Sequence, residues 1–416
     1  MIIYTSVAVF LFFAIALVIP SGFSVGAVLL LAGSIVLLRK HAKIKLQREE
    51  IILISVLALY FLAGSFANLV HGAPIREYDS PMRFMLAIPV LLLLRVFPPI
   101  PRFFWGGVAT GAIASGLFAA WQFFFEGGMR ADGFTNPIQF GNIGILLGIL
   151  CLPGLGWAAS QRRSAFWLIL LSGGIFLGLL GSLFSESRGS WISLPVALLV
   201  AYQCYGEALH KRHIAASLAV MLVLFGVLYV MPRTPMEVRV RLSIAETQDY
   251  FKSGNTMTSA GTRLEMWRTG LLLFPERPWL GWGKEGYMKE AARLTQAGKV
   301  RPTDDVHSHL HNEYLDALVK RGVLGLAALL ILYLVPLALF VKRIRSENHA
   351  VRPYAVAGAL LSVCYICFGL TQAFLTHNNG VMIFAFTLVI LWSLLREQES
   401  NGAAYNSVNG THRDAP

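Results

Sequence analysis

Charge is scarce in this chain. Only 14% of its 416 residues are Asp, Glu, Lys or Arg, against 56% hydrophobic, whereas soluble domains of this size carry nearer a quarter charged residues. That shortage excludes a soluble domain as the main body. Acidic residues are the scarcer sign, 23 against 35 Lys and Arg. No basic soluble domain or RNA-binding motif carries the +12 excess, so it does not point to nucleic acid. In membrane chains such an excess reflects cytoplasmic loops first and sites for anionic ligands second. Cysteine is also sparse: Cys151, Cys204, Cys364 and Cys367 lie in or beside apolar runs, which excludes a loop disulfide framework. The Cys364-x-x-Cys367 pair inside an apolar run is read as packing. Ionisable residues are all but missing from the middles of the apolar runs. Transporters place such groups near the bilayer midplane, so this gap weighs against a transporter or flippase.

Apolar length, by contrast, is abundant. Runs long enough to cross a hydrocarbon core of about 30 Å predict an all-α, polytopic membrane protein of about twelve spans. They lie near 2–19, 22–38, 50–70, 82–97, 103–125, 138–158, 165–184, 190–205, 213–231, 322–341, 354–373 and 380–395. The first run has neither a basic n-region nor an A-x-A cleavage pattern and is read as an uncleaved span. The basic loops at 39–48, 161–163, 210–213 and 341–345 all fall on one side if the amino terminus is cytoplasmic, which puts both termini there by the positive-inside rule. The expected organisation is spans one to nine in 1–232, a large outer loop in 233–321, spans ten to twelve in 322–396 and a disordered cytoplasmic tail in 397–416.

The large loop carries helical signals of its own. Thr262 and Glu265 fit a T-x-x-E capping box, opening a helix with Leu264, Trp267, Leu271 and Phe274 on one face. Glu285–Ala297 reads as a second helix stopped by Gly298. Asn312 can cap a third, bearing Tyr314, Leu315, Leu318 and Val319 and ending at Gly322. Several arginines stand on the outer side, against the topology bias: Arg76, Arg83, Arg130 and Arg188, the last in the hinge "SESRGSW". Arg263 falls at the start of the first loop helix, where amides and guanidinium together suit an anion. His311 precedes the third helix, and a helix amino end favours a neutral imidazole able to take a proton. His307, His309 and His311 could alternatively share a metal, although no firm carboxylate ligand accompanies them. Trp267 and Trp282 could stack on sugars or anchor the loop helices. Asp304, Asp305 and Glu313 are expected to be solvated, though any one could assist the base, and His71 and His377 are weaker candidates at outer span ends.

The stretch "HNEYLDALVKRGVLG" resembles the H-[NSQ]-x9-G-x-x-G element of bacterial O-antigen ligases, with His311, Asn312, Gly322 and Gly325 in register. "GTRLEMWRTGLLLFPERPWLGWG" is similar to a G-x-R…W…P-x-x-G-x-G segment of the wider ligase and polymerase superfamily. "RADGFTNPIQFGN" and "SRG" resemble its earlier segments. The resemblance implies a C-type, membrane-embedded glycosyltransferase of the Gram-negative inner membrane. Such an enzyme moves a glycan from undecaprenyl pyrophosphate to the lipid A–core oligosaccharide at the periplasmic face, by a metal-independent inverting displacement in lipopolysaccharide biosynthesis. It implies His311 as the catalytic histidine, Arg188 and Arg263 on the pyrophosphate, and Arg130, Asn312 and Trp267 about the substrate, with no cofactor and no metal. An O-antigen polymerase or a protein O-oligosaccharyltransferase would use the same donor.

Overall fold

The computed structural model describes residues 1–40, 44–126, 130–205, 236–303 and 308–410. Among the described residues the only regular structure is helix, without a strand. Eight helices come first: α1 (Ile2–Ala14), α2 (Gly22–Lys40), α3 (Arg48–Val70), α4 (Asp79–Val96), α5 (Pro101–Phe125), α6 (Pro137–Ala159), α7 (Ser164–Phe184) and α8 (Ser193–Tyr205). The loop region holds α9 (Met236–Ser253), α10 (Ser259–Leu273) and α11 (Gly283–Gln296). The chain closes with α12 (Glu313–Val341), α13 (Arg352–Gly369) and α14 (Asn378–Gly410). Seven described helices are long and apolar enough to cross a membrane, namely α3, α5, α6, α7, α12, α13 and the Asn378–Gly402 part of α14. Shorter apolar helices add to them. The chain is a polytopic helical membrane protein. The expected ninth span, 213–231, lies outside the described residues.

The last helix forms the core. Phe384, Leu391 and Trp392 have no exposed surface, as expected of a helix that is apolar on every side. Ser393 Oγ ties it to α4 by donating to Leu94 O at 2.7 Å. Small residues bring α6 and α7 together, because backbones approach closely where side chains are absent. A Cβ on Gly178 would lie 2.9 Å from Gly148 Cα and 2.8 Å from Gly144 O. At the end of the bundle away from the loop region, Arg343 pairs with Glu399 at 2.6 Å and with Glu49. Arg95 pairs there with Glu50 at 2.8 Å. This clamp also bears on the tail: α14 continues to Gly410, so the polar segment expected to be disordered from 397 begins as helix, held by Arg343 and Arg396 on Glu399.

Two further expectations change. α10 starts at Ser259, and its cap is Thr258, whose Oγ1 accepts from Gly261 N at 3.1 Å. Thr262 therefore lies in the helix, donating to Thr256 O at 2.8 Å. The buried face of α10 is Thr262, Met266, Thr269 and Leu273, while Leu271 is 55% exposed. Small residues won that face because Gly270 must pass Leu310 closely: a Cβ there would lie 2.6 Å from its side chain. The second loop helix ends as expected, with Gly298 at φ +68° after it. The third is capped by Asn312, whose Oδ1 accepts from Tyr314 N and Leu315 N at 3.1 and 3.0 Å. It breaks from the following span at Gly322, where φ is +67°. Only glycine adopts that backbone without strain. A side chain at 322 would also strike Trp279, 2.2 Å from its carbonyl.

Candidate functional site

The early motif 130–142 cradles the hinge that carries Arg188. Asn136 Oδ1 caps α6 by accepting from Gln139 N at 3.0 Å. Asn142 Oδ1, buried one turn later, accepts from Ser187 Oγ at 3.0 Å. A Cβ on Gly141 would sit 2.1 Å from Ser185 Oγ, so this glycine lets the hinge lie against α6. Arg130 Nε donates to Ser185 O at 3.1 Å and lies 3.7 Å from Glu186. Glu186 has φ +56°, and Arg130 braces that turn. Sequence reading placed Arg130 among the substrate contacts; in the structure its guanidinium also holds the Ser185–Glu186 turn. Arg188 then opens a short 3-10 turn, Arg188–Ile192.

The hinge meets α10 and the connector between α13 and α14. Gly189, Arg263, Trp267 and Thr371 line one cavity of about 500 Å³. Gly189 is needed for this approach, since a Cβ would fall 1.9 Å from Thr371 Oγ1. Arg263 stands one turn into α10, not at its first turn. The helix amino end is already occupied, because Ala260 N donates to Glu246 Oε2 at 3.1 Å. An anion in this cavity would therefore meet the Arg263 side chain, and the expected help from the helix end is reduced, since the Gly261 amide is also taken, by Thr258. α9, which supplies Glu246, has no counterpart in the sequence reading. Its Ile244, Thr247 and Tyr250 recur at helical spacing, and that was the available signal.

Trp267 links this cavity to the histidines. Its indole N–H donates to Leu310 O at 2.9 Å, and Leu310 N donates to Asp316 Oδ1 at 3.0 Å. Held from both sides, the chain turns at His311 with φ +49°. That conformation costs a residue with a side chain on the order of 1–3 kcal/mol and persists only where the surroundings enforce it. Asn312 adds a third tie, Nδ2 donating to Leu370 O at 3.2 Å. Trp282 is not a sugar platform, for its indole is buried and donates to Leu273 O at 2.9 Å.

His311 Nδ1 lies 2.6 Å from Gln372 Oε1, and Gln372 Nε2 lies 3.0 Å from His377 Nε2. Gln372 is 2% exposed. An amide oxygen only accepts and an amide nitrogen only donates, so the neutral His311 carries its proton on Nδ1 and its lone pair on Nε2. The His309 ring stands 4.4 Å from that of His311 and 5.5 Å from that of His377. Gln372 was not among the expected residues. A buried amide in the connector after a span hints at a fixed partner, but nothing in the sequence says which. Glu313 was expected to be solvated; it is fully buried and accepts from Leu375 N at 2.7 Å, fastening this connector to α12. His307, Asp304 and Asp305 lie outside the described residues. Among those described, no three His, Cys, Asp or Glu side chains are arranged to hold a metal.

Burial, and then the neighbouring His311, push the His309 imidazole down to about 3. Asp316 pulls it upward, while His377 and Lys320 add to the fall. Burial lowers His377 as well. A histidine lowered in the fold takes up a proton more readily once unfolded, so stability is lost as pH falls below the ordinary histidine value of about 6.5. The thermal midpoint of the purified protein should drop steadily between pH 7 and pH 5. In His309→Asn the decline should be shallower, and an unchanged slope in that variant would count against a neutral buried His309.

Comparison with known proteins follows the same residues. A family model described as O-antigen ligase matches residues 173–330, the stretch holding Arg188, Arg263, Trp267, His311 and Asn312. An uncharacterized protein of Haemophilus influenzae is 29% identical over 383 residues, covering 91% of this chain and 95% of that protein. An O-antigen ligase of Escherichia coli K12 is 23% identical over 191 residues, 45% of this chain and 44% of that one. The hinge, the Arg263 cavity and the histidine turn fall within or beside the matched segment, and the two matches support membership of the O-antigen ligase/polymerase superfamily.

Proposed function

We propose that this protein is an O-antigen ligase, transferring a glycan from undecaprenyl pyrophosphate to lipid A–core at the periplasmic face of the inner membrane. The observation that carries the reading is the convergence of three separated segments. The arginine-lined cavity and the turn that presents His311 share Trp267 and the 371–372 peptide as common walls and ties. Arg263, with Arg188 at the adjoining hinge, neutralises the pyrophosphate. The acceptor hydroxyl oxygen attacks the anomeric carbon while the bond to the pyrophosphate oxygen breaks, its electron pair leaving with the phosphate. The hydroxyl proton passes to His311 Nε2, while Nδ1 keeps its own proton and donates it in a hydrogen bond to Gln372 Oε1. Such a leaving group needs charge neutralisation more than protonation, so the paired carboxylates of a glycosidase are not required. Inversion at the anomeric carbon follows from a single displacement.

The purified protein in lipid nanodiscs, given a lipid-linked glycan and lipid A–core, should form glycosylated lipid A–core, and should do so after exhaustive chelation. Glycan lengthened on the undecaprenyl carrier with none on lipid A–core would make the protein a polymerase. Transfer only to a protein acceptor would equally overturn the reading, and dependence on an added divalent ion would remove its metal-independent chemistry.

A further inference from the structure

A second cavity, of about 350 Å³, opens on the other side of the histidines, lined by His309 and His377 together with Lys284, Lys320 and Arg321. The 371–377 connector serves both cavities, giving Thr371 to the first and Thr376–His377 to the second. Two of the three cations are matched by carboxylates. Lys284 Nζ lies 2.7 Å from Glu77 Oε1, and Lys320 Nζ lies 2.5 Å from Asp316 Oδ1. Arg321 is different. Its Nη1 donates to the Tyr60 hydroxyl at 3.2 Å, with the guanidinium 5.5 Å from that ring. Among the described residues no carboxylate stands within ion-pairing distance of it; Glu313 and Asp316 act on it from farther away.

Arg321 also sits on a boundary. It and Ala67 line both this polar cavity and an apolar groove of about 560 Å³ between α3 and α12, walled by Leu59, Leu62, Phe66 and Ile331. Those four side chains are exposed on the lipid-crossing helices. A polar chamber, lined by Lys284, Lys320 and Arg321 with the carboxylates Glu77 and Asp316 and continuous with an apolar trough, fits an amphiphile lying across the membrane surface. Its acyl chain follows the trough and its anionic, hydroxyl-rich headgroup enters the chamber toward His309 and His377. A guanidinium without a paired carboxylate at the junction suits a phosphate or acidic sugar at the head of such a chain.

We infer that this cavity and groove bind the acceptor, an anionic glycolipid, and that donor and acceptor lipids approach His311 from opposite sides of the 371–377 connector. The inference rests on the ligase reading for the identity of that glycolipid as lipid A–core. The test measures binding of lipid A–core, of phosphatidylglycerol and of the lipid-linked donor to the full chain in phosphatidylcholine nanodiscs. Arg321→Gln should weaken lipid A–core binding about tenfold, the scale of one charge-assisted hydrogen bond. Ala63→Phe, which fills the groove without touching the chamber, should weaken it as well. Both variants should bind the donor as the wild type does, which also reports that they are folded, whereas Arg263→Gln should lose donor and keep lipid A–core. Phosphatidylglycerol binding as tightly as lipid A–core would reduce the site to a bulk-lipid contact and overturn the inference. Loss of lipid A–core binding in Arg263→Gln alone would move the acceptor to the first cavity, leaving the ligase reading intact. Donor binding with no lipid A–core binding by the wild type would remove the acceptor from the ligase reading, and this inference with it.

Discussion

Arg263→Ala and Arg188→Ala each lower glycan transfer by at least about 10²-fold, the usual loss when one donor to a developing anion is removed. The membrane-inserted protein accumulates normally in both. Arg263 lies on the wall of a cavity whose other sides are Gly189, Trp267 and Thr371, so its removal takes charge away without emptying a packed core. At the α10 amino end the Ala260 and Gly261 amides already donate to Glu246 and Thr258 and do not take over for the lost guanidinium. Lysine at 263 should restore only part of the rate, since it keeps the charge but not the planar fork. Arg130→Ala gives a contrasting result, a moderate loss with a lower thermal midpoint, because Arg130 braces the Ser185–Glu186 turn behind the hinge. Transfer rates measured at matched protein amounts decide the matter. Near-wild-type rates in both Arg188→Ala and Arg263→Ala would end the pyrophosphate assignment.

These residues also mark how far the sequence can be read. Spans were legible because a hydrocarbon core demands about twenty apolar residues in a row, a signal that survives without knowledge of neighbours. Asn312 and Gly322 were legible for a similar local reason, one as a cap and the other as a break. The cap of α10 was displaced to Thr258 because several hydroxyls there can serve, and the choice is made by tertiary contacts such as Thr262 on Thr256. Glu313 was read as solvated, yet it and Asp316 on the same helix are buried. Besides Lys320 on Asp316, their partners are the main-chain amides of Leu375 and Leu310, and a main-chain amide has no signature in a sequence. The same holds for Gln372, which lies 61 residues from His311 in the chain. Local rules located the pieces, and long-range hydrogen bonds assembled them.

His311→Ala removes transfer while leaving donor binding nearly intact. General-base catalysis contributes roughly 10²–10⁴-fold, and that is the expected fall at saturating donor and acceptor. The turn itself should survive, because Trp267 and Asp316 hold Leu310 and Asn312 caps α12 without help from the imidazole. Imidazole added to His311→Ala should restore part of the rate, since the removed ring leaves a space beside Gln372. Gln372 acts one step back, as a positioning residue: its oxygen keeps the His311 proton on Nδ1 and its nitrogen engages His377. Gln372→Glu retains an acceptor toward His311 and should keep more activity than Gln372→Leu, which retains none. Both should lower kcat with little change in the KM for donor, a split that a loss of packing alone would not give. Weakened donor affinity in His311→Ala, with an unchanged rate once donor is saturating, would instead make this histidine a binding group and leave the hydroxyl proton to another base.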